Sequence, residues 1–380
     1  MFSRKCLSII FLILFLMLGC SKNEQLPEGF IKFDVTKKYL MKELFLQDFM
    51  DVEYIPLETN DDFVNQGYVR DIGEKNIIVT NRINDGDIFI YDRTGKALRK
   101  INRRGQGSEE YSFLYNIILD DKREEIFVND LFAKRIVVYD LFGNFKRVIT
   151  RKEEFNSTFY TNIYNYDEDN LICYDRYNTN ISFFVISKND GTVIKTIKIP
   201  FKNKLFLRQT YNNNNLTPGP YHSIMPYKGN WILLELSSDT VYMLSSDFSI
   251  HPFLVRIPSV ESKESDDYLL FRFLSDHYLF METIENKFDF SRNVGFKKKY
   301  FMFDCEENIF FRYKVYNKDY VSKKEVYMNM INPNVESWLS LESNQLILDY
   351  ERGIIRGRLK DIAAKLSKDS NPVIMLIKHK

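Results

Sequence analysis

Short apolar runs alternate with polar turns along most of this chain, and the alternation itself repeats. Ile88-Phe89-Ile90-Tyr91 is followed by the turn Asp92-Arg93-Thr94-Gly95-Lys96 and then by a second apolar run. The same order returns at Ile136-Val137-Val138-Tyr139 with Asp140-Leu141-Phe142-Gly143-Asn144, and at Phe183-Phe184-Val185-Ile186 with a turn ending at Gly191. The three glycines stand 48 residues apart. Runs of this length, bounded by turn residues, read as β-strands. A period of roughly 40–50 residues built from short strands marks propeller blades.

The pattern therefore predicts an all-β fold over residues 31–380: a six-bladed β-propeller of four-stranded blades. Blade 1 is expected from strands at 68–72, 76–80, 88–91 and 98–101, and blade 2 from 116–119, 125–128, 136–139 and 146–149. Blade 3 follows at 162–165, 171–174, 183–186 and 193–199. Beyond it the repeat loosens. Blade 4 is read at 231–236 and 241–244, and blade 5 at 277–281, 300–303 and 309–315 with an insertion at 286–296. Blade 6 is read at 346–350 and 354–359. Strand-like segments at 53–57 and 373–377 are expected to pair and close the ring, because an open strand edge is a template for aggregation. Leu359, Ile362, Ala363 and Leu366 follow helical spacing up to Asn371-Pro372, which predicts a short C-terminal helix packed on the closing blade.

The first nineteen residues follow another pattern. Arg4 and Lys5 precede an apolar run at 7–18, too short for a comfortable membrane span but suited to a signal peptide. The run ends at Met17-Leu18-Gly19-Cys20, which resembles the lipobox of bacterial lipoproteins, with Met17 in place of the usual Leu. The resemblance implies acylation of Cys20, a lipidated tether at 20–30 and a membrane partner reached through that lipid. Ser21 after the cysteine, and Lys22-Asn23-Glu24, resemble outer-membrane and surface sorting signals, so an outer-membrane lipoprotein, periplasmic or surface-facing, is expected.

Without residues 1–19 the chain carries 51 basic against 52 acidic side chains. No basic stripe is present, which argues against nucleic acid. Cys173 and Cys305 are the cysteines left after Cys6 and Cys20; they fall in blades that are not neighbours and are expected to be free thiols.

Arg103-Arg104-Gly105-Gln106-Gly107, Tyr111, Ile126-Phe127-Val128-Asn129-Asp130 and Arg135-Ile136-Val137-Val138-Tyr139-Asp140 resemble an NHL-type repeat. With 51–59 near the start and Asn371-Pro372-Val373 near the end, the chain is similar to the six-bladed β-propeller lipoproteins of Bacteroidetes. Ser108-Glu109 stands where those relatives usually have Pro-Gly. The resemblance implies six blades and an envelope lipoprotein, and supplies no catalytic residue.

Gly105-Gln106-Gly107 is not followed by a helix, so it lacks what a phosphate loop needs. His222, His251, His277 and His379 occupy no recurring position, and Asn129, Asp130, Asp175 and Glu235 are residue types common at strand ends. No metal site or cofactor is assigned. The candidate binding residues are Arg82, Arg103, Arg104, Arg135 and Arg176, several of which recur near equivalent turns. Tyr211, Tyr221 and His222 join them from the long amide-rich loop 211–222. Guanidinium groups brought to one face suit an acidic sugar, a sulfated glycan or a carboxylate-bearing peptide; solvated surface arginines are the plain alternative. The reading favours a non-catalytic module that binds a glycan, peptide or envelope protein through its loop face. The alternative is a metal-assisted hydrolase or lyase at the funnel mouth.

Overall fold

The computed structural model describes residues 30–211, 214–218, 221–262, 264, 266–328 and 336–380. The signal segment and Cys20 lie outside the described residues. Within them the chain is a six-bladed β-propeller with three short α-helices, one of them near the C-terminus.

Blades 1, 2 and 3 are four-stranded antiparallel sheets in simple order. Blade 1 runs Tyr68–Ile72, Asn76–Thr80, Asp87–Asp92, Ala97–Asn102; blade 2 runs Asn116–Asp120, Glu125–Asp130, Arg135–Asp140, Phe145–Thr150. Blade 3 runs Asn162–Asn165, Asn170–Tyr174, Phe183–Ser187, Val193–Ile197. The first strands of these blades lie side by side around the axis. The repeated turn has one mechanical purpose. Gly95, Gly143 and Gly191 all take positive φ, and each turn presses on the outermost strand of the preceding blade. A Cβ on Gly143 would meet Ile101, and one on Gly191 would meet Ile149 and the Thr150 carbonyl. Only glycine takes that conformation without cost and allows that approach.

The same contact identifies blade 6. A Cβ on Gly95 would run into the Pro56 carbonyl, so Met50–Pro56 is the outermost strand of the blade that precedes blade 1. It pairs antiparallel with Val373–His379, Tyr54 opposite Met375, and that strand pairs with Glu336–Leu341. The predicted closing strands are thus themselves blade 6. Residues 346–350, read from sequence as a blade-6 strand, belong instead to the helix Ser343–Glu351, and 354–359 runs into the helix Gly357–Ala363. A stretch as short as Leu346-Ile347-Leu348-Asp349-Tyr350 carries too little periodicity to separate strand from helix. Here Leu346 is buried while Leu348 and Tyr350 are exposed. Both helices lie in the connection between Glu336–Leu341 and Val373–His379.

Blades 4 and 5 exceed four strands because the N-terminal segment wraps around them. Ile31–Asp34 adds in parallel to Ile250–Ile257 of blade 4, and Met41–Phe45 adds in parallel to Ile309–Asn317 of blade 5. These additions pair edges that would otherwise be open. The seam between blades 6 and 1 is latched by Asn371. Its amide nitrogen donates to the Glu58 and Phe63 carbonyls, and its oxygen accepts from the Asn65 N–H at 2.8 Å. Cys173 is buried, Cys305 half-buried, and both are free.

Candidate functional site

Because the strands alternate in direction, the first strand of each blade begins, and each second strand ends, at the same end of the central channel. That end holds a cavity of about 510 Å³. Tyr68 and Arg70 enter from blade 1, Tyr115 and Asn116 from blade 2, Asn162 and Tyr164 from blade 3. Tyr221 and His222 come from the segment leading into blade 4, Arg272 from Asp267–Leu274, the first strand of blade 5, which was not read from the sequence, and Trp338 from blade 6.

Two of the arginines reach the channel through β-bulges. The register of blade 1 slips between Val69 and Asp71, and that of blade 5 between Phe271 and Phe273. Each slip leaves one extra residue, Arg70 or Arg272, outside the regular alternation. A bulge re-aims its side chain in this way. Arg70 donates to Thr80 Oγ1 at 2.7 Å and, at longer range, to the Tyr115 and Leu114 carbonyls, with its guanidinium 4.4 Å from the Tyr68 ring centroid. Arg272 donates to Glu282 Oε1 at 2.5 Å.

Arg176 differs from both. It follows the end of the second strand of blade 3, with its guanidinium 4.8 Å from the Tyr221 ring centroid. Its Nε is buried and has no hydrogen-bond partner among the described residues. Burial opposes its charge, but Tyr221, Tyr115, Tyr174 and Tyr177 around it outweigh burial and lift its pKa. No carboxylate lines this mouth among the described residues.

His222 sits among these charges in the neutral state. Burial first, and then Arg272 and Arg176, push its pKa down to about 3. It is hydrogen-bonded through Nδ1 to the Tyr164 hydroxyl, whose own pKa burial pushes far up. Deeper in the channel, burial raises Asp71 to about 7, although it accepts the Leu119 and Ile72 N–H groups. The opposite end of the channel has the reverse character: Glu74, Asp121, Asp167 and Glu168 surround a recess of about 250 Å³, with Lys122 and Lys188 among them. The channel is thus basic at one mouth and acidic at the other.

Of the residues singled out from sequence, Arg176, Tyr221 and His222 come together at the basic mouth. The other arginines are engaged elsewhere. Arg82 pairs with Glu342 on the surface, and Arg103 donates to the Gly143 carbonyl at 3.1 Å, tying blade 1 to blade 2. Arg104 bridges to Tyr111 through its backbone, and Arg135 donates to the Glu110 carbonyl at 2.7 Å beside Asp130. Tyr211 ends the short strand Gln209–Tyr211, paired with Asn214–Leu216. Asp130, Asp175 and Glu235, the strand-end acids noted in the sequence, are each bonded by protein donors. Arg70, Arg272, Tyr164 and Trp338 were not anticipated. The signal for the first two was slight: a charged residue between strand-forming neighbours, which marks a bulge only once the register is known.

The family of this fold is decided by a sequence match that spans residues 30–378. The chain belongs to the DUF4934 family, a domain of unknown function. No curated protein matches it in sequence. Among solved structures, this DUF4934 chain is similar to a Bacteroides fragilis protein described as exported. The TM-score is 0.64 at 15% identity, over 93% of this chain and 100% of that one. It is also similar to a DUF4221 family member from Bacteroides vulgatus, at TM-score 0.50 and 11% identity, over 87% of this chain and 97% of the other. At these identities the likeness concerns the fold.

Proposed function

We propose that this DUF4934 propeller is an exported, lipid-anchored binding module that captures an anionic group at the basic mouth of its channel. The observation that carries the reading is Arg176. Its Nε is a buried donor without a partner among the described residues, a state that costs free energy until an acceptor joins it, and no carboxylate lining the mouth supplies one. A ligand carboxylate, sulfate or phosphate is the missing partner. Arg70, already oriented by the neutral Thr80, adds positive potential around it, while Arg272 is held by its ion pair with Glu282.

Binding rather than acid–base chemistry fits His222. A general base works best with a pKa near the operating pH, and an imidazole held at about 3 stays neutral and serves as a hydrogen-bond partner. The envelope address rests on the apolar run ending at Gly19-Cys20, and the export of a structural relative accords with it.

Two experiments test the proposal. Thermal shift and the fluorescence of the two tryptophans, Trp231 and Trp338, are followed during titration with citrate, galacturonate, sulfate and phosphate, with glucose as the neutral control. Anions are expected to stabilise the protein and glucose to leave it unchanged; no response to any anion overturns the site. For the address, Cys20→Ala is expected to move the protein from the membrane to the soluble fraction, and unchanged partitioning refutes acylation.

A further inference from the structure

The basic mouth does not stop at the cavity. The loops that surround it carry aromatic rings in chains of edge and face contacts. Phe132 lies 5.2 Å from Phe113, which lies 6.4 Å from Tyr115, itself part of the cavity wall. Phe159 and Phe206 flank Tyr177 at 6.2 and 6.3 Å. The rings come from the connections at this end of blades 2, 3 and 4, so they form an arc along one side of the opening. Phe132 is 68% exposed and Tyr177 51% exposed. Large rings left in water beside a charged cavity mark a binding surface rather than a packing accident.

We infer that the ligand is a uronate-containing oligosaccharide, held by its carboxylates at the arginines and laid along this arc by its sugar rings. The inference rests on the anion site proposed above and adds the chemistry that carries the anion. A sugar ring has an apolar C–H face that lies on an aromatic ring and a hydroxyl edge that needs amides and hydroxyls. The mouth supplies both. Asn116, Thr161 and Asn162 line the wall, and Asn162 Oδ1 is buried with no partner among the described residues, an acceptor awaiting a hydroxyl. A planar carboxylate matches the fork of a guanidinium.

The test compares wild type, Arg176→Met and the double variant Phe132→Ala/Tyr177→Ala by calorimetry. The probes are free galacturonate and tetrasaccharides of galacturonate, mannuronate and hyaluronan. Maltotetraose, tetraglutamate and a sulfated dextran oligosaccharide serve as comparators. At least one uronate tetrasaccharide is expected to bind roughly tenfold or more tighter than free galacturonate. The double variant, with unchanged melting temperature, should lose that gain yet keep the monosaccharide affinity; Arg176→Met should weaken both. Uronate tetrasaccharides no tighter than the monosaccharide, or bound equally by the double variant, overturn the inference and leave the anion site standing. Tetraglutamate or the sulfated oligosaccharide binding as well as every uronate also overturns it. If no anion binds at all, the anion site itself fails.

Discussion

Replacing Arg176 with Met should make the free protein more stable and the bound protein weaker, two effects of opposite sign from one side chain. Met keeps most of the aliphatic stem and removes the guanidinium. In the free protein the buried Nε donor is unsatisfied, a state that costs about 1–3 kcal/mol. The stacking on Tyr221 at 4.8 Å returns about 0.5–1 kcal/mol. Loss of the guanidinium therefore favours the free protein by roughly 1 kcal/mol, or about 2 °C in melting temperature for a domain of this size. In the complex, truncating one partner of a desolvated charge pair costs about 2–5 kcal/mol, so citrate should bind at least roughly thirtyfold more weakly. Urea unfolding with and without citrate, together with calorimetric titration, reads both signs. A variant that is less stable by about 1 kcal/mol and binds within about threefold of wild type would show that Arg176 braces the fold.

Lys188 and Asp120 form an ion pair at 2.6 Å with the lysine side chain 1% exposed, so Lys188→Met should cost about 3–5 kcal/mol in urea unfolding by leaving the carboxylate unpaired. Most of that loss should return in Lys188→Met/Asp120→Leu. Gly95→Ala should destabilise more than the ~1–2 kcal/mol expected from a left-handed backbone alone. Gly229→Ala, at positive φ in open space, is the control that isolates the backbone effect. The pH profile carries two opposed contributions. Asp71, raised from 3.8 to about 7, lends stability at low pH that is lost as pH rises toward 7; His222, lowered from 6.5 to about 3, lends stability above 6.5 that is lost as pH falls toward 3. Each slope is about 1.4 kcal/mol per pH unit between about pH 4 and 6.5, where they offset in the wild type. Urea midpoints across that range should fall with acidification in Asp71→Asn and fall with rising pH in His222→Gln.

The parts of the fold legible in the sequence are those where local chemistry repeats. Asp92, Asp140 and the three glycines encode the same turn, so blades 1 to 3 could be placed almost residue by residue. Blade 6 could not, because its strands come from both ends of the chain and its long connection carries helices too short for their period to show. The site divides along the same line. Arg176, Tyr221 and His222 stood out because they interrupt strand patterning at loops. Arg70 and Arg272 were hidden because their direction depends on bulges, a property of pairing and not of the residues. Arg103 and Arg135 looked free but satisfy backbone carbonyls of neighbouring turns, contacts that exist only once the blades stack.

Pairing Met50–Pro56 with Val373–His379 sets the order in which this protein can be completed. The outermost strand of the last blade leaves the ribosome among the first parts of the domain, and its partner leaves last. Until then Met50–Pro56 has no sheet to join, and Gly95 has no neighbouring strand to lean on. Loops of this length slow folding more than they weaken the final state. The ring therefore has a long open interval during its making, and a chain that stops short of Val373 loses the strand to which both Met50–Pro56 and Glu336–Leu341 must pair.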